Sequence, residues 1–120
     1  MEIRLKTTGD GSDTLFIPEL NEHYHSTFGA IRESKHIFID AGLKNCTKKM
    51  LTIFEVGFGT GLNCLLTFLE ISNSYQKVRY DAIEPFPINE LLLSTLNYTS
   101  ILGEKLINSY NSIISAISAG

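Results

Sequence analysis

Apolar and polar positions alternate from Glu2 to Thr8, with Ile3 and Leu5 set against Arg4 and Lys6. That period of two predicts a strand, the cluster Gly9-Asp10-Gly11-Ser12 a turn, and Thr14 to Ile17 a returning strand. Residues 1–20 thus read as a β-hairpin, which Pro18 ends by removing a ladder donor. After a polar stretch, Asn21 to Ser26, the period lengthens. Ala30, Ile31, Ser34, Ile37, Phe38 and Ala41 recur at helical spacing, which predicts a helix over 27–43 with Gly42 as its stop. On that stripe Phe38 is expected to face the core. Met50 to Val56 reads as a strand, Leu62 to Ile71 as a helix broken by Asn73-Ser74, and Val78 to Ile83 as another strand. Two more helices are expected, Ile88 to Leu96 and a last one carrying Leu102, Leu106, Ile107, Tyr110, Ile113, Ile114 and Ile117. Strands alternating with helices predict an α/β fold whose parallel sheet starts at residue 50.

The 120 residues fit one domain, and 43% hydrophobic against 19% charged residues is a globular composition. The formal net charge of -3 argues against a general polyanion binder, so any nucleic-acid contact must be a local patch. Lys44, Lys48 and Lys49 form a small basic cluster that reads first as a solvated loop. Cys46 and Cys64 are too few for a disulfide framework, and no His/Cys cluster has zinc spacing, so no metal is expected. The first residues lack the apolar stretch of a secretory signal, and no run nears the roughly 20 apolar residues of a membrane span. The expectation is a cytoplasmic protein with no membrane contact.

The chemistry-bearing segment is Glu55-Val56-Gly57-Phe58-Gly59-Thr60-Gly61-Leu62-Asn63, between a predicted strand and a predicted helix. Glycines there allow positive φ and let backbone approach a ligand closely. The dinucleotide fingerprint needs its third glycine three positions after the second, where this chain has Leu62. Glu55, two places before the first glycine, would repel a pyrophosphate but suits a ligand carrying an ammonium group. Glu84 ends the next strand, at the distance where a carboxylate accepts both hydroxyls of a ribose, about 20 residues beyond the glycines. Both marks favour an adenosyl ligand at the carboxyl edge of the sheet over a nicotinamide cofactor.

Three segments add specificity: Asn21 to Ser26 running through Gly29-Ala30 to Glu33-Ser34-Lys35-His36-Ile37-Phe38-Ile39, the loop Glu55 to Asn63, and Tyr80-Asp81-Ala82-Ile83-Glu84-Pro85-Phe86-Pro87. Together, over residues 15–90, they resemble the MnmC-type tRNA methyltransferase domain in its stand-alone form, without the flavin oxidoreductase half. The resemblance implies a Rossmann-like S-adenosylmethionine-dependent methyltransferase of bacterial type. The family methylates the primary amine of 5-aminomethyl-2-thiouridine at the tRNA wobble position. It implies that Glu55, Gly57, Phe58, Gly59, Thr60, Gly61 and Asn63 line the methionine end of the cofactor. Glu84 would then hold the ribose, with Pro85, Phe86 and Pro87 beside the adenine. His25, Glu33, Ser34 and His36 become candidates for the cofactor or substrate side, and Tyr24, Phe28 and Phe38 for stacking on a flipped base.

The family also carries, on a later strand, an Asp-Ala-Phe-x-Pro type motif whose aspartate serves the reacting amine. No such motif occurs in these 120 residues, and Asp81-Ala82-Ile83 lies inside the strand leading to Glu84. The expectation is therefore the N-terminal portion of one methyltransferase domain (hairpin 1–20, helix 27–43, start of the sheet 50–120), with no catalytic residue of its own and no turnover by itself. An exposed sheet edge would then favour self-association. The alternative is an inactive remnant or interaction module that keeps an adenosyl-binding loop.

Overall fold

The computed structural model describes residues 1–118. Strands β1 (Arg4–Thr7) and β2 (Asp13–Ile17) form the expected antiparallel hairpin, with Leu5 opposite Leu15. A short third strand, β3 (Glu22–His23), pairs with β2, and the His23 ring stacks on Phe16 with centroids 4.5 Å apart. The hairpin is tied down at both ends. Leu15 is fully buried in the core, and Asn97 grips the turn by accepting from the Asp13 N–H (2.8 Å) and donating to the Gly11 carbonyl (2.8 Å).

Helix α1 (Ala30–Ser34) has no side-chain cap of its own, and the hairpin turn caps it from a distance. Thr8 Oγ1 accepts from Ala30 N (3.0 Å), Ser12 Oγ from Ile31 N (3.0 Å) and Asp10 Oδ2 from Arg32 N (2.9 Å). These satisfy donors that a helix start otherwise leaves open. Asp10 Oδ1 also accepts from the hydroxyl of Thr8 and from the backbone and hydroxyl of Ser12. Burial pushes the Asp10 carboxyl up, but the bonds from Ser12, Arg32 and Thr8 outweigh it and hold the carboxyl below its ordinary value. Asp10→Ala is expected to cost about 1.5 kcal/mol of stability near neutral pH. The stabilisation is present above the ordinary carboxylate range and is lost as pH falls through the lowered value. Thermal melts from pH 2 to 7 should therefore converge for the two proteins at the acid end.

The predicted helix over 27–43 is corrected in length and in face. The chain is α-helical only to Ser34 and continues as a π-helix, Lys35–Asp40. The wider turn shifts the inward stripe to Ala30, Ser34, Ile39 and Leu43, all buried. Ile37 and Phe38, expected on the core stripe, are instead 50% and 48% exposed.

Strand β4 (Met50–Val56), helix α2 (Leu62–Ile71) and strand β5 (Lys77–Ile83) form one βαβ unit, with β4 and β5 parallel in the register Ile53 to Tyr80 and Glu55 to Ala82. Leu62, Leu65 and Leu66 anchor α2 in the core. Beyond β5 come α3 (Glu90–Ser94), α4 (Tyr98–Leu102) and α5 (Ile107–Ser118). The single long last helix expected from the spacing is broken at Gly103, whose φ of 141° no helix accommodates. Leu106, Tyr110 and Ile114 face the core at intervals of four, packing near α2 and α3. The other face of the parallel pair is open, with Phe54 and Val56 62% and 71% exposed, and β4 and β5 pair only with each other among the described residues. No described helix is long and apolar enough to cross a membrane.

Candidate functional site

The glycine loop turns the chain sharply from the end of β4 into α2. Gly57, Gly59 and Gly61 all have positive φ (85°, 57° and 78°). At Gly59 a Cβ would sit 3.3 Å from the Tyr24 ring, and at Gly61 one would sit 2.5 Å from Cζ of the buried Phe58 ring. Glycine is thus required at Gly61 by both conformation and space. Gly61 is also the N-cap of α2 and provides no side-chain cap there.

A cavity of about 550 Å3 opens over this loop. It is bounded by Glu55, Gly57, Gly59, Thr60 and Asn63 on one side and by Tyr24, His25, Glu33, Ser34 and Phe38 on the other. The volume falls in the usual range for small-molecule sites, roughly 300–1,000 Å3. Glu55 is held from two directions: Asn63 Nδ2 donates to Oε2 (2.8 Å) and the Tyr80 hydroxyl to Oε1 (2.8 Å). Burial pushes the Glu55 carboxyl up, the bonds from Asn63 and Tyr80 pull it down, and the charge of Glu84 pushes it up; the net direction is upward. Asn63 Oδ1 is buried without a hydrogen-bond partner among the described residues. Together, Glu55 and Asn63 present acceptors to a cationic donor. This acceptor pair fits an ammonium group and opposes a phosphate.

Glu84 does not line the cavity. Its carboxylate accepts from Gly59 N (2.8 Å) and Phe86 N (3.2 Å), so it clips the middle of the glycine loop to the end of β5. Burial, and then the charge of Glu84, raise the Tyr24 hydroxyl. His25 has both ring nitrogens engaged, Nδ1 with Thr14 Oγ1 (2.8 Å) and Nε2 with Thr60 Oγ1 (3.5 Å). Burial lowers its pKa and so favours the neutral ring, an effect partly opposed by the charge of Glu33. Thr60 is held further by the hydroxyls of Tyr98, on its Oγ1 (3.3 Å), and of Tyr110, on its carbonyl (2.7 Å). His25 thus fastens the loop to the hairpin.

Several expected site residues lie elsewhere. Phe58 turns its ring away from this cavity, under Gly61 and toward a groove shared with Cys64 and α5. His36 lines a neighbouring cavity. Phe86 is 82% exposed, and Pro85 and Pro87 are also exposed. Tyr80 was missed, although strand alternation puts its partner Ile53 on the same face of β4 as Glu55. The basic cluster is partly spent, since Lys44 pairs with Asp40 (3.3 Å) and Glu70 (3.8 Å). Lys48 and Lys49 precede β4, a strand length of roughly 20 Å from the loop. Burial, and then Glu55, push the Cys64 thiol up to about 11, which makes it a poor nucleophile. Among the described residues no group of three or more His, Cys, Asp or Glu is placed to hold a metal.

No family model matches the chain. It is similar to the tRNA 5-methylaminomethyl-2-thiouridine biosynthesis bifunctional protein MnmC of Magnetococcus marinus, 29% identical over 73% of this chain and 15% of that protein. The protein of the same description from Leptospira interrogans is 32% identical over 80% of this chain and 17% of its own length. The chain thus spans less than a fifth of these curated relatives. Among solved structures, MnmC2 from Aquifex aeolicus matches with a TM-score of 0.62 and 33% identity, over 73% of this chain and 31% of that one. The α/β fold is therefore the Rossmann-like one that the family resemblance implied. With sequence and fold in agreement over about three quarters of its length, this chain is MnmC-like, as its glycine loop and flanking segments indicated.

Proposed function

We propose that the chain binds S-adenosylmethionine in the glycine-loop cavity and serves methylation of the aminomethyl group on the wobble 2-thiouridine of tRNA. The observation that carries the cofactor reading is the acceptor pair at the loop, Glu55 with Asn63, matched to an ammonium group. The descriptions of the relatives, which make 5-methylaminomethyl-2-thiouridine in tRNA, supply the substrate class.

Bound there, the cofactor supplies an electrophilic methyl on a sulfonium. Held by Glu55 and Asn63, it would offer that methyl for transfer to the neutral amine. This chain's residues hold and orient. Glu55 and Asn63 take the ammonium end. Glu84 lies outside the cavity and steadies Gly59; it would meet the ribose hydroxyls where the cofactor runs past the loop to the end of β5, and the exposed Phe86 and Pro87 beyond it would flank the adenine. Proximity and alignment of amine and methyl are then the main catalytic contribution. We assign no residue of this chain to the proton that the amine loses, and the 120 residues alone are expected to bind cofactor without turnover.

Binding of the ammonium requires Glu55 ionised. Its carboxyl titrates above the ordinary value, so affinity falls as pH drops through that raised value. Equilibrium dialysis with labelled S-adenosylmethionine between pH 4.5 and 8 is expected to show that fall. Glu55→Gln should bind about tenfold more weakly at pH 7.5, with a flat profile. A pH-dependent profile unchanged in Glu55→Gln would count against the ammonium assignment.

A further inference from the structure

A second cavity, of about 530 Å3, lies against helix α1 and is lined by Ser26, Phe28, Arg32, Lys35 and His36 among others. Glu33 lines both this cavity and the one over the glycine loop, so the two share a wall. The charged groups lining the α1 cavity are Arg32 and Lys35 against Glu33 and Asp40. The Asp40 carboxylate is taken by Lys44 (3.3 Å), and Glu33 Oε1 accepts from Ser26 N (3.0 Å). Arg32 and Lys35 are exposed and make no ion pair among the described residues. A chain of net charge -3 thus offers two free cations side by side at one opening.

The aromatic ring beside them is equally unspent. Phe28 is 82% exposed, yet its turn is firmly pinned. Gly9 N donates to the Thr27 carbonyl (2.8 Å), Phe28 N to Ser26 Oγ (3.2 Å) and Gly29 N to the Ser26 carbonyl (3.2 Å). A Cβ on Gly9 would meet the Phe28 carbonyl at 2.5 Å, so hairpin turn and aromatic turn are in close contact. Packing does not account for an apolar ring presented on so rigid a support.

We propose that this cavity docks the RNA substrate beside the cofactor site: Phe28 stacks on one unpaired base, and Arg32 and Lys35 take the adjoining phosphates. An exposed aromatic flanked by unpaired cations is the combination that holds single-stranded nucleic acid, since stacking supplies affinity at any base and cations track the backbone. An acidic protein surface would use the cations but not the ring. The inference rests on the tRNA reading above and says where that RNA is held.

The test is fluorescence anisotropy of a labelled anticodon stem-loop RNA titrated with the full 120-residue chain at several salt concentrations. The variants are Phe28→Ala, the double Arg32→Ala/Lys35→Ala and, as a remote control, Lys48→Ala/Lys49→Ala. All these side chains are exposed, and the bond from Arg32 to Asp10 uses backbone N–H, so folding is retained. The double variant is expected to lose about 30-fold in affinity, with its log–log salt slope reduced by about two. Phe28→Ala should lose about tenfold with the slope unchanged. The control should stay within about twofold, and S-adenosylhomocysteine binding should be unaltered in every variant. Wild-type affinity in both Phe28→Ala and the double variant would overturn the docking site, as would failure of the wild-type chain to bind the RNA. A chain that binds S-adenosylhomocysteine but not RNA loses the docking site and keeps the cofactor reading. One that binds RNA through Phe28 but no S-adenosylhomocysteine keeps the site and loses the methyl-transfer reading.

Discussion

Glu84→Ala is expected to weaken S-adenosylhomocysteine binding about 100-fold. The proposed contact is a carboxylate accepting from two ribose hydroxyls, and hydrogen bonds to a charged group contribute about 1.5–3 kcal/mol each, so their combined loss at the low end is roughly 3 kcal/mol. The substitution also releases the Gly59 and Phe86 N–H groups that the carboxylate now holds. Glu84→Gln separates the two effects. Its amide oxygen can keep the bond to Gly59 while the charge and the longer bond from Phe86 are lost, so it should retain most of the thermal stability of the wild-type chain and still bind about tenfold more weakly. Calorimetric titration of the three proteins reads this directly. Affinities within threefold of one another would remove Glu84 from the site.

Gly61→Val is expected to be the most destabilising single change in the loop, at about 3 kcal/mol. Two costs add: a β-branched residue at φ 78°, about 1–2 kcal/mol, and a Cβ driven into the buried Phe58 ring, about 1–3 kcal/mol. Set against a total stability of roughly 5–15 kcal/mol for a domain, that is a large share. Gly57→Ala isolates the first cost, because its φ is 85° but no atom lies within 4 Å of the added Cβ. It should lose only about 1 kcal/mol. Denaturant midpoints compared across the pair measure the difference. Equal losses would mean that conformation alone, and not the Phe58 contact, fixes glycine at Gly61.

Much of this architecture is legible in the chain. The hairpin, β4, α2 and β5 follow from alternation, from glycine spacing and from an uninterrupted apolar helix face, because local patterning agrees there with the tertiary structure. The gathering of Glu55, Gly57, Gly59, Thr60 and Asn63 around one cavity follows from the same strand–loop–helix order, whereas His25, Glu33 and Ser34 on its other side are suggested only by the family resemblance. The remainder depends on contacts that no local window contains. The π-turn after Ser34 inserts an extra residue into the helical period, which moves Phe38 out of the core and Ile39 in. The capping of α1 by Thr8, Asp10 and Ser12 spans about 20 residues of sequence. Strand β3 is two residues long and owes its place to the Phe16–His23 stack. The break at Gly103 did carry a local signal, the glycine itself, which the regular spacing of apolar residues on either side outweighed.

Exposure of Phe54 and Val56 on the open face of the β4–β5 pair bears on handling as well as on fold. Parallel strands are ordinarily covered on both faces, so association as concentration rises is the outcome expected in sedimentation experiments. Binding measurements are best made at low micromolar protein.

The central claim is that the cavity over the glycine loop is an adenosyl-cofactor site chosen for an ammonium group. Calorimetric titration of the folded chain with S-adenosylhomocysteine and, separately, with NAD tests it most directly. Saturable one-to-one binding of S-adenosylhomocysteine and no heat with NAD are expected. A folded chain that binds NAD, or neither ligand, would contradict it and leave the glycine loop as scaffold.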